Sequence, residues 1–360
     1  MDTPFSVTTG MVGGGFYNRH SAPQMSAIDH VMPWLEDAIG GVSFDDGAGT
    51  LGLADFGCSE GRNSIAVMRR LILLLRRRTS RHIQTIHCDL PTNDFSSLFV
   101  GLRPDGRSVF GDGVSSCAVG GSMYDSVVPP NCLHIATSFN AIGFLGRRPI
   151  DRLPGYILPN GPSRIRGVGT VSKAEQTVFA EQASRDIECF LRARAVELVP
   201  GGKLLLQVFG SSDAKRCCDG VYDVLNDAVL EVLNHGMIDR AAYDAYYQPV
   251  YFRTLDELTE PVELYSLPFH IDQQETYEAP VPFNDDFARS GNVEVYAREY
   301  TNFHRAFTEG VLRISFADSP ELDGLVSEIY TRAERLVREA PERYPFNYVA
   351  IAALMTRTGA

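Results

Sequence analysis

The stretch Leu51-Gly-Leu-Ala-Asp55-Phe-Gly57-Cys-Ser59-Glu-Gly61-Arg-Asn63-Ser64, which runs on into apolar and arginine residues as far as Arg78, constrains the fold more than any other part of the chain. An apolar strand that ends in Asp, turns through two glycines four residues apart and continues as a helix delivers backbone amides to the carboxyl end of a strand. Open α/β sheets bind their ligands at that end. The dinucleotide fingerprint G-x-G-x-x-G would need a glycine at position 59, which is Ser. No Gly-Lys-Ser/Thr follows, so a phosphate loop is excluded as well.

The segments downstream repeat the strand-helix alternation. Ile83 to Cys88 alternates as a strand and ends in Asp89, one unit after the first, where a carboxylate is placed to accept hydrogen bonds from ribose hydroxyls. Pro91 stops that strand, and Asp94 reads as the cap of a helix over 95–102 rather than as a ligand. Upstream, residues 25–39 have the apolar spacing of a helix closed by Gly40-Gly41, and a polar connection over 43–50 follows. In the helix after Asn63, Ile65, Met68, Leu71, Ile72 and Leu75 face inward, leaving Arg69, Arg70 and Arg76 to Arg78 toward solvent. The periodicity predicts a third strand over 132–139 and a helix over 173–198 leading to a strand over 203–209. Beyond them it predicts helices over 213–234 and 239–247, a strand over 262–271, helices over 299–306 and 320–338, and a last strand over 348–355. Residues 146–172, punctuated by prolines and glycines, read as a long connection or the start of an insertion.

The net charge of −12 over 360 residues argues against a general nucleic-acid footprint. Seven cysteines form no C-x-x-C pair, and the adjacent Cys217-Cys218 has a poor spacing for bridging; reduced thiols and a cytoplasmic setting are the expectation. The longest apolar run, Leu71 to Leu75, is too short for a bilayer, and Met1-Asp-Thr-Pro has no secretory pattern, so no membrane association is expected.

Near the amino terminus Tyr17, Ser21 and Gln24 recur at helical spacing. These three, Ala54-Asp-Phe-Gly-Cys-Ser-Glu-Gly-Arg-Asn63, Asp89-Leu-Pro-Thr-Asn-Asp-Phe95, Gly121-Ser-Met123 and Phe190-Leu-Arg-Ala-Arg-Ala-Val-Glu-Leu-Val-Pro-Gly-Gly202 stand in one order. In that order they resemble the SABATH family of S-adenosylmethionine-dependent methyltransferases, which esterify small carboxylic acids and in one branch methylate xanthine nitrogens.

The resemblance implies an α/β, Rossmann-like methyltransferase core with a mixed, mostly parallel sheet and an α-helical cap. The chain divides on that reading into the amino-terminal segment and first half of the core (1–150), the start of the cap (151–185), core (186–212), cap (213–250), core (251–298), cap (299–345) and the last core strand (346–360). Tyr17, Ser21, Asp55, Gly57, Asn63, Asp89, Leu90, Ser122 and Met123 match cofactor-binding positions for S-adenosylmethionine and its product S-adenosylhomocysteine. Gln24 matches the glutamine that hydrogen-bonds the acceptor carboxylate, and Phe139 and Ile142 match the acceptor pocket wall. The tryptophan that supplies a second donor in carboxyl-methylating members falls at Gly143, which implies added room and a fatty-acid-like acid ahead of an aromatic one such as salicylate or benzoate. No metal is expected, because the segment from Asp244 to Tyr247 lacks the asparagine of the family's occasional metal site. The resemblance further implies a small-molecule carboxylic acid substrate and a homodimer. Two other readings remain open at this point: methylation of a ring nitrogen or a hydroxyl, and a non-catalytic cofactor-binding protein.

Overall fold

The computed structural model describes residues 10–40, 49–166 and 168–359. Gly41 and most of the polar connection after it lie outside the described residues. Seven strands, β1 (Leu51–Phe56), β2 (Ile83–Asp89), β3 (Val114–Gly120), β4 (Leu133–Phe139), β5 (Leu198–Phe209), β6 (Phe269–Ala279) and β7 (Tyr348–Arg357), form one sheet in the order β3-β2-β1-β4-β5-β7-β6. The pairings from β3 through β5 are parallel, and β7 inserts antiparallel between β5 and β6. Strand order reverses at β1, so the carboxyl ends of β1 and β4 diverge there and open a crevice. Because β7 runs the other way, its first residue, Tyr348, reaches that same end of the sheet.

Helices cover both faces: α1 (Phe16–His20), α2 (Ala22–Ile39), α3 (Arg62–Leu75), α4 (Phe95–Leu102), α5 (Lys173–Glu197), α6 (Asp219–Asn234), α7 (Arg240–Ala245), α8 (Leu255–Thr259), α9 (Pro261–Leu264), α10 (Pro282–Ser290), α11 (Val293–Ser315) and α12 (Leu322–Glu339). All six residues of β1 are buried, as expected of a strand covered on both sides. Helix α3 buries Val67, Met68, Leu71, Ile72 and Leu75. Its arginines do more than face solvent: Arg70 pairs with Asp29 and Glu36 of α2, and Arg76 donates to the carbonyls of Arg81 and Gly113. Asp94 caps α4 by accepting from the Ser97 amide at 3.0 Å. A Ser172–Glu175 capping box starts α5. Helix α12 packs against both α6 and α11, and α1 packs on α11.

Three expectations about the elements need correction. Residues 114–120, to which the sequence assigns no element, form β3. The strand expected over 262–271 is a short helix followed by β6, whose residues extend to Ala279. Both strands lie at sheet edges, where partial exposure removes the continuous apolar run that marks a strand covered on both faces. The helix expected over 299–306 is only the middle of α11, and α10 was not foreseen.

A fully buried ion pair ties α5 to the segment after β3. Arg194 Nε donates to Glu197 at 2.7 Å, its two terminal nitrogens donate to the carbonyls of Met123 (2.7 Å) and Asp125 (2.9 Å), and its plane lies 3.7 Å from the Phe56 ring centre. Glu197 in turn accepts the amides of Val127 at 2.7 Å and Val128 at 3.1 Å. Removing one partner strands a buried charge. Arg194→Met is therefore expected to lower the unfolding free energy by about 3–5 kcal/mol, measured by denaturant titration.

Candidate active site

The turn after β1 is built by close approach. Gly57 has φ of 95°, and a Cβ there would sit 2.2 Å from the Ala141 Cβ, so only glycine lets the β1 and β4 ends come together. Gly57 and Cys58 both donate to the Cys88 carbonyl, at 2.8 and 3.0 Å, fastening this turn to β2. The amino-terminal segment is pinned over it. Glu60, 1% exposed, accepts the amides of Gly15 and Asn18, and Asp94 accepts the amide of Gly14.

A cavity of about 530 Å³ opens at this end of the sheet. One part of its wall carries the polar side chains of Tyr17, Ser59, Asp89 and Ser122, interleaved with the apolar Leu90 and Met123. Another is aromatic, with Phe139, Phe144, Phe209 and Tyr222 joined by Phe303 and Phe307 from α11. Gln24 lines the same cavity; it is 4% exposed, and its side chain has no hydrogen-bond partner among the described residues.

Two carboxylates dominate the electrostatics. Asp55, 3% exposed, accepts from the Thr137 hydroxyl at 2.8 Å; burial, opposed by hydroxyl bonds from Ser64 and Thr137, pushes its pKa up to about 6. Asp89 accepts the amides of Ser59 at 2.6 Å and Leu90 at 2.8 Å, yet burial, with the nearby Asp55 charge adding to it, raises it to about 6 too. No cation pairs with either among the described residues. Burial first, then the charges of Asp89, Asp55 and Glu60, pushes the Tyr17 phenol well above its ordinary value. The Ser59 hydroxyl is buried with no partner. Carboxylates without counter-ions, an orphan hydroxyl and a glycine-tightened turn suit a ligand that carries hydroxyl donors and positive charge. An S-adenosylmethionine molecule has both.

Not every expected residue reaches the wall. Tyr17, Gln24, Gly57, Asp89, Leu90, Ser122, Met123 and Phe139 line the cavity. Asp55 sits behind it, close enough to raise Asp89. Ser21 is 1% exposed, its hydroxyl unpartnered, and it is absent from the wall; so is Asn63, one residue into α3. Ile142 is buried in the core, where its carbonyl accepts from Arg253.

The Gly143 expectation is corrected outright. A Cβ there would meet the Phe209 ring at 2.2 Å, so the missing side chain makes room for that ring and adds nothing to the cavity. Phe144, the next residue, is the one on the wall, set edge-on to Phe209 at 5.8 Å. Asn140, Tyr222 and Tyr348 are wall residues that the sequence reading did not single out. For Asn140 a signal existed, a small polar residue directly after an apolar strand.

The histidines stay out of the chemistry. His87 bonds Ser64 at 2.8 Å, and burial lowers it to about 4. His134 accepts from the amide of Gly52, and burial lowers it also. Burial lowers His20 as well. Among the described residues no cluster of three His, Cys, Asp or Glu could hold a metal ion, and no helix is long and apolar enough to cross a membrane.

Comparison with known proteins points the same way. A family profile described as SAM dependent carboxyl methyltransferase matches residues 6–358. A salicylate carboxymethyltransferase of Clarkia breweri is 26% identical over 362 residues, covering 97% of this chain and 96% of its own. A 3,7-dimethylxanthine N-methyltransferase of Camellia sinensis is 27% identical over 346 residues, covering 90% and 89%. Among solved structures, a loganic acid methyltransferase with SAH superposes with a TM-score of 0.78 at 21% identity, covering 97% of this chain and 99% of the other, which establishes the methyltransferase fold.

The raised carboxyls give the site a pH signature. With folded pKa values of about 6 against an ordinary 3.8, the neutral forms are the ones the folded protein favours. That stability is complete below 3.8 and is lost as pH rises through about 6. A ligand that needs the ionised carboxylates binds in the opposite sense. The affinity for S-adenosylhomocysteine, measured by calorimetry, is expected to fall as pH is lowered through about 6, and Asp89→Asn is expected to flatten that profile.

Proposed function

We propose, from the premise that this chain belongs to the SAM-dependent carboxyl methyltransferase family, that it converts the carboxylate of a compact, hydrophobic acid into its methyl ester. The observation that carries this reading is Gln24, an unpartnered buried amide on the wall of the cavity that also holds Asp89. S-adenosylmethionine, when bound, supplies an electrophilic methyl group on a cationic sulfur. Asp89 would accept hydrogen bonds from its ribose hydroxyls while Asp55 adds negative charge behind. Tyr17, Ser59 and the turn at Gly57 would border its amino-acid end, with Leu90, Ser122 and Met123 at the base.

A carboxylic acid with an ordinary pKa of about 4 is already ionised at neutral pH, so its oxygen needs no general base. The neutral, structurally engaged histidines fit that requirement. What the residues must do is align: Gln24 donates an amide N–H to one acceptor oxygen and leaves the other facing the methyl group. Orientation of this kind can lower a barrier by roughly 7–11 kcal/mol. The aromatic wall excludes water, which strengthens the attraction between the acceptor's negative charge and the donor's positive one.

The same wall bears on substrate choice. With the space beside Gly143 filled by Phe209, and Phe209 also packed 5.0 Å from Phe252, the surroundings favour a flat or compact acid over an extended chain. The helical cap we assign to α6, α11 and α12, which contribute Tyr222, Phe303 and Phe307 to the wall through the first two. A homodimer in the cytoplasm, working without a metal, completes the proposal; the reduced, unpaired cysteines support the compartment.

Incubation with labelled S-adenosylmethionine and a panel of acids and heterocycles tests the reaction, because an ester loses its label in base and an N-methyl product does not. Gln24→Ala is expected to lower kcat/KM for the acid by about 10- to 100-fold, the size of a hydrogen bond to a charged group. Its S-adenosylhomocysteine affinity should stay within about threefold of wild type; unchanged esterification would remove Gln24 from the mechanism.

A further inference from the structure

Gln24 offers an amide to one side of the acceptor carboxylate, and neither Phe144 nor Phe209 carries a donor for the other. Asn140 does. It follows β4 directly and holds a left-handed backbone, φ 58°, which is uncommon for a side-chain-bearing residue and is kept here by a 2.7 Å bond from its amide to the Gln207 carbonyl. Its side-chain oxygen accepts two hydrogen bonds, from Gln207 Nε2 at 3.1 Å and from the Tyr348 hydroxyl at 2.7 Å. Burial raises the Tyr348 phenol well above its ordinary value, so it stays protonated and donating. With the Tyr348 hydroxyl and Gln207 Nε2 as donors, the atom they share is assigned as the amide oxygen. The NH₂ end is then left with no partner among the described residues, on a side chain 7% exposed that lines the cavity shared with Gln24.

We infer that Asn140 is the second acceptor-binding residue, its Nδ2 donating to the substrate carboxylate, with Gln207 and Tyr348 acting as positioning residues that lock the amide. A carboxylate has two oxygens that accept from planar amides, and two fixed N–H groups define its plane as one donor does not. Tyr222, whose hydroxyl has no hydrogen bond among the described residues, is the rival donor on the same wall. A phenol hydroxyl can rotate, whereas the Asn140 amide is held from two sides. The inference rests on the carboxyl-methylation reading and deepens it.

Asn140→Gly is the decisive variant, because glycine accepts the left-handed backbone and the fold is spared. The wild-type enzyme is first offered benzoate, salicylate, octanoate and a terpenoid acid, and the best-esterified one is used thereafter. For that acid Asn140→Gly is expected to lower kcat/KM by about 10- to 100-fold, with S-adenosylhomocysteine binding by calorimetry within about twofold of wild type. Tyr222→Phe should carry a smaller loss of kcat/KM than Asn140→Gly. Tyr348→Phe should give a smaller loss than Asn140→Gly, and the double variant should be no worse than Asn140→Gly alone, because the tyrosine acts through the amide. The assignment is overturned if Asn140→Gly leaves kcat/KM within about threefold, if it weakens S-adenosylhomocysteine binding as much as kcat/KM, or if Tyr222→Phe carries the larger loss. A wild-type enzyme that binds S-adenosylhomocysteine but esterifies no acid defeats the underlying reading itself, a result distinct from an unaffected variant.

Discussion

Two carboxylates buried at the tips of adjacent strands, with no cation beside them among the described residues, are the constraint around which this structure is arranged. Ionised carboxylates in such surroundings are costly, and the protein lowers that cost only in part. Thr137 serves Asp55, and the amides of Ser59 and Leu90 serve Asp89. The Ser59 amide is in place because the β1 turn is held tight at Gly57 and fastened to β2. The amino-terminal segment is then drawn over the turn by another buried acid, Glu60, which binds the first amides of α1. Remaining electrostatic imbalance is what a positively charged ligand would relieve.

Much of this was legible in the order of residues. The interior strands β1, β5 and β7 announce themselves by apolar runs and β2 by alternation, and the acids at the ends of β1 and β2 with the glycines after β1 mark the binding edge. The edge strand β3 carries no strand signal and β6 is expected too early, because polar residues interrupt both: Ser115 and Ser116 in one, Asp272 to Gln274 in the other. In those segments pairing with a neighbour, and not sequence periodicity, decides the conformation. Gly57, Asp89, Leu90, Ser122 and Met123 reach the cavity wall from short segments at the ends of β1, β2 and β3, which is why the order of residues alone could group them.

The acceptor wall resisted for a different reason. Its aromatic residues come from separate parts of the chain, and what each ring does depends on which neighbour it meets. Gly143 is the clearest instance. In sequence it suggests a hole; in the folded protein it is a seat for Phe209, and the wall passes to Phe144. Asn140 likewise looks like an ordinary residue after a strand until Gln207 and Tyr348 are seen to hold its oxygen.

The reversed strand β7 has a consequence for how the molecule comes into being. Tyr348 stands on the same wall as Met11 and Gln24, so that wall joins almost the first and almost the last residues of the chain. The slot between β5 and β6 is filled only when Tyr348–Arg357 enters it, so loss of that segment would remove an interior strand of the sheet and, with it, Tyr348 from the cavity wall.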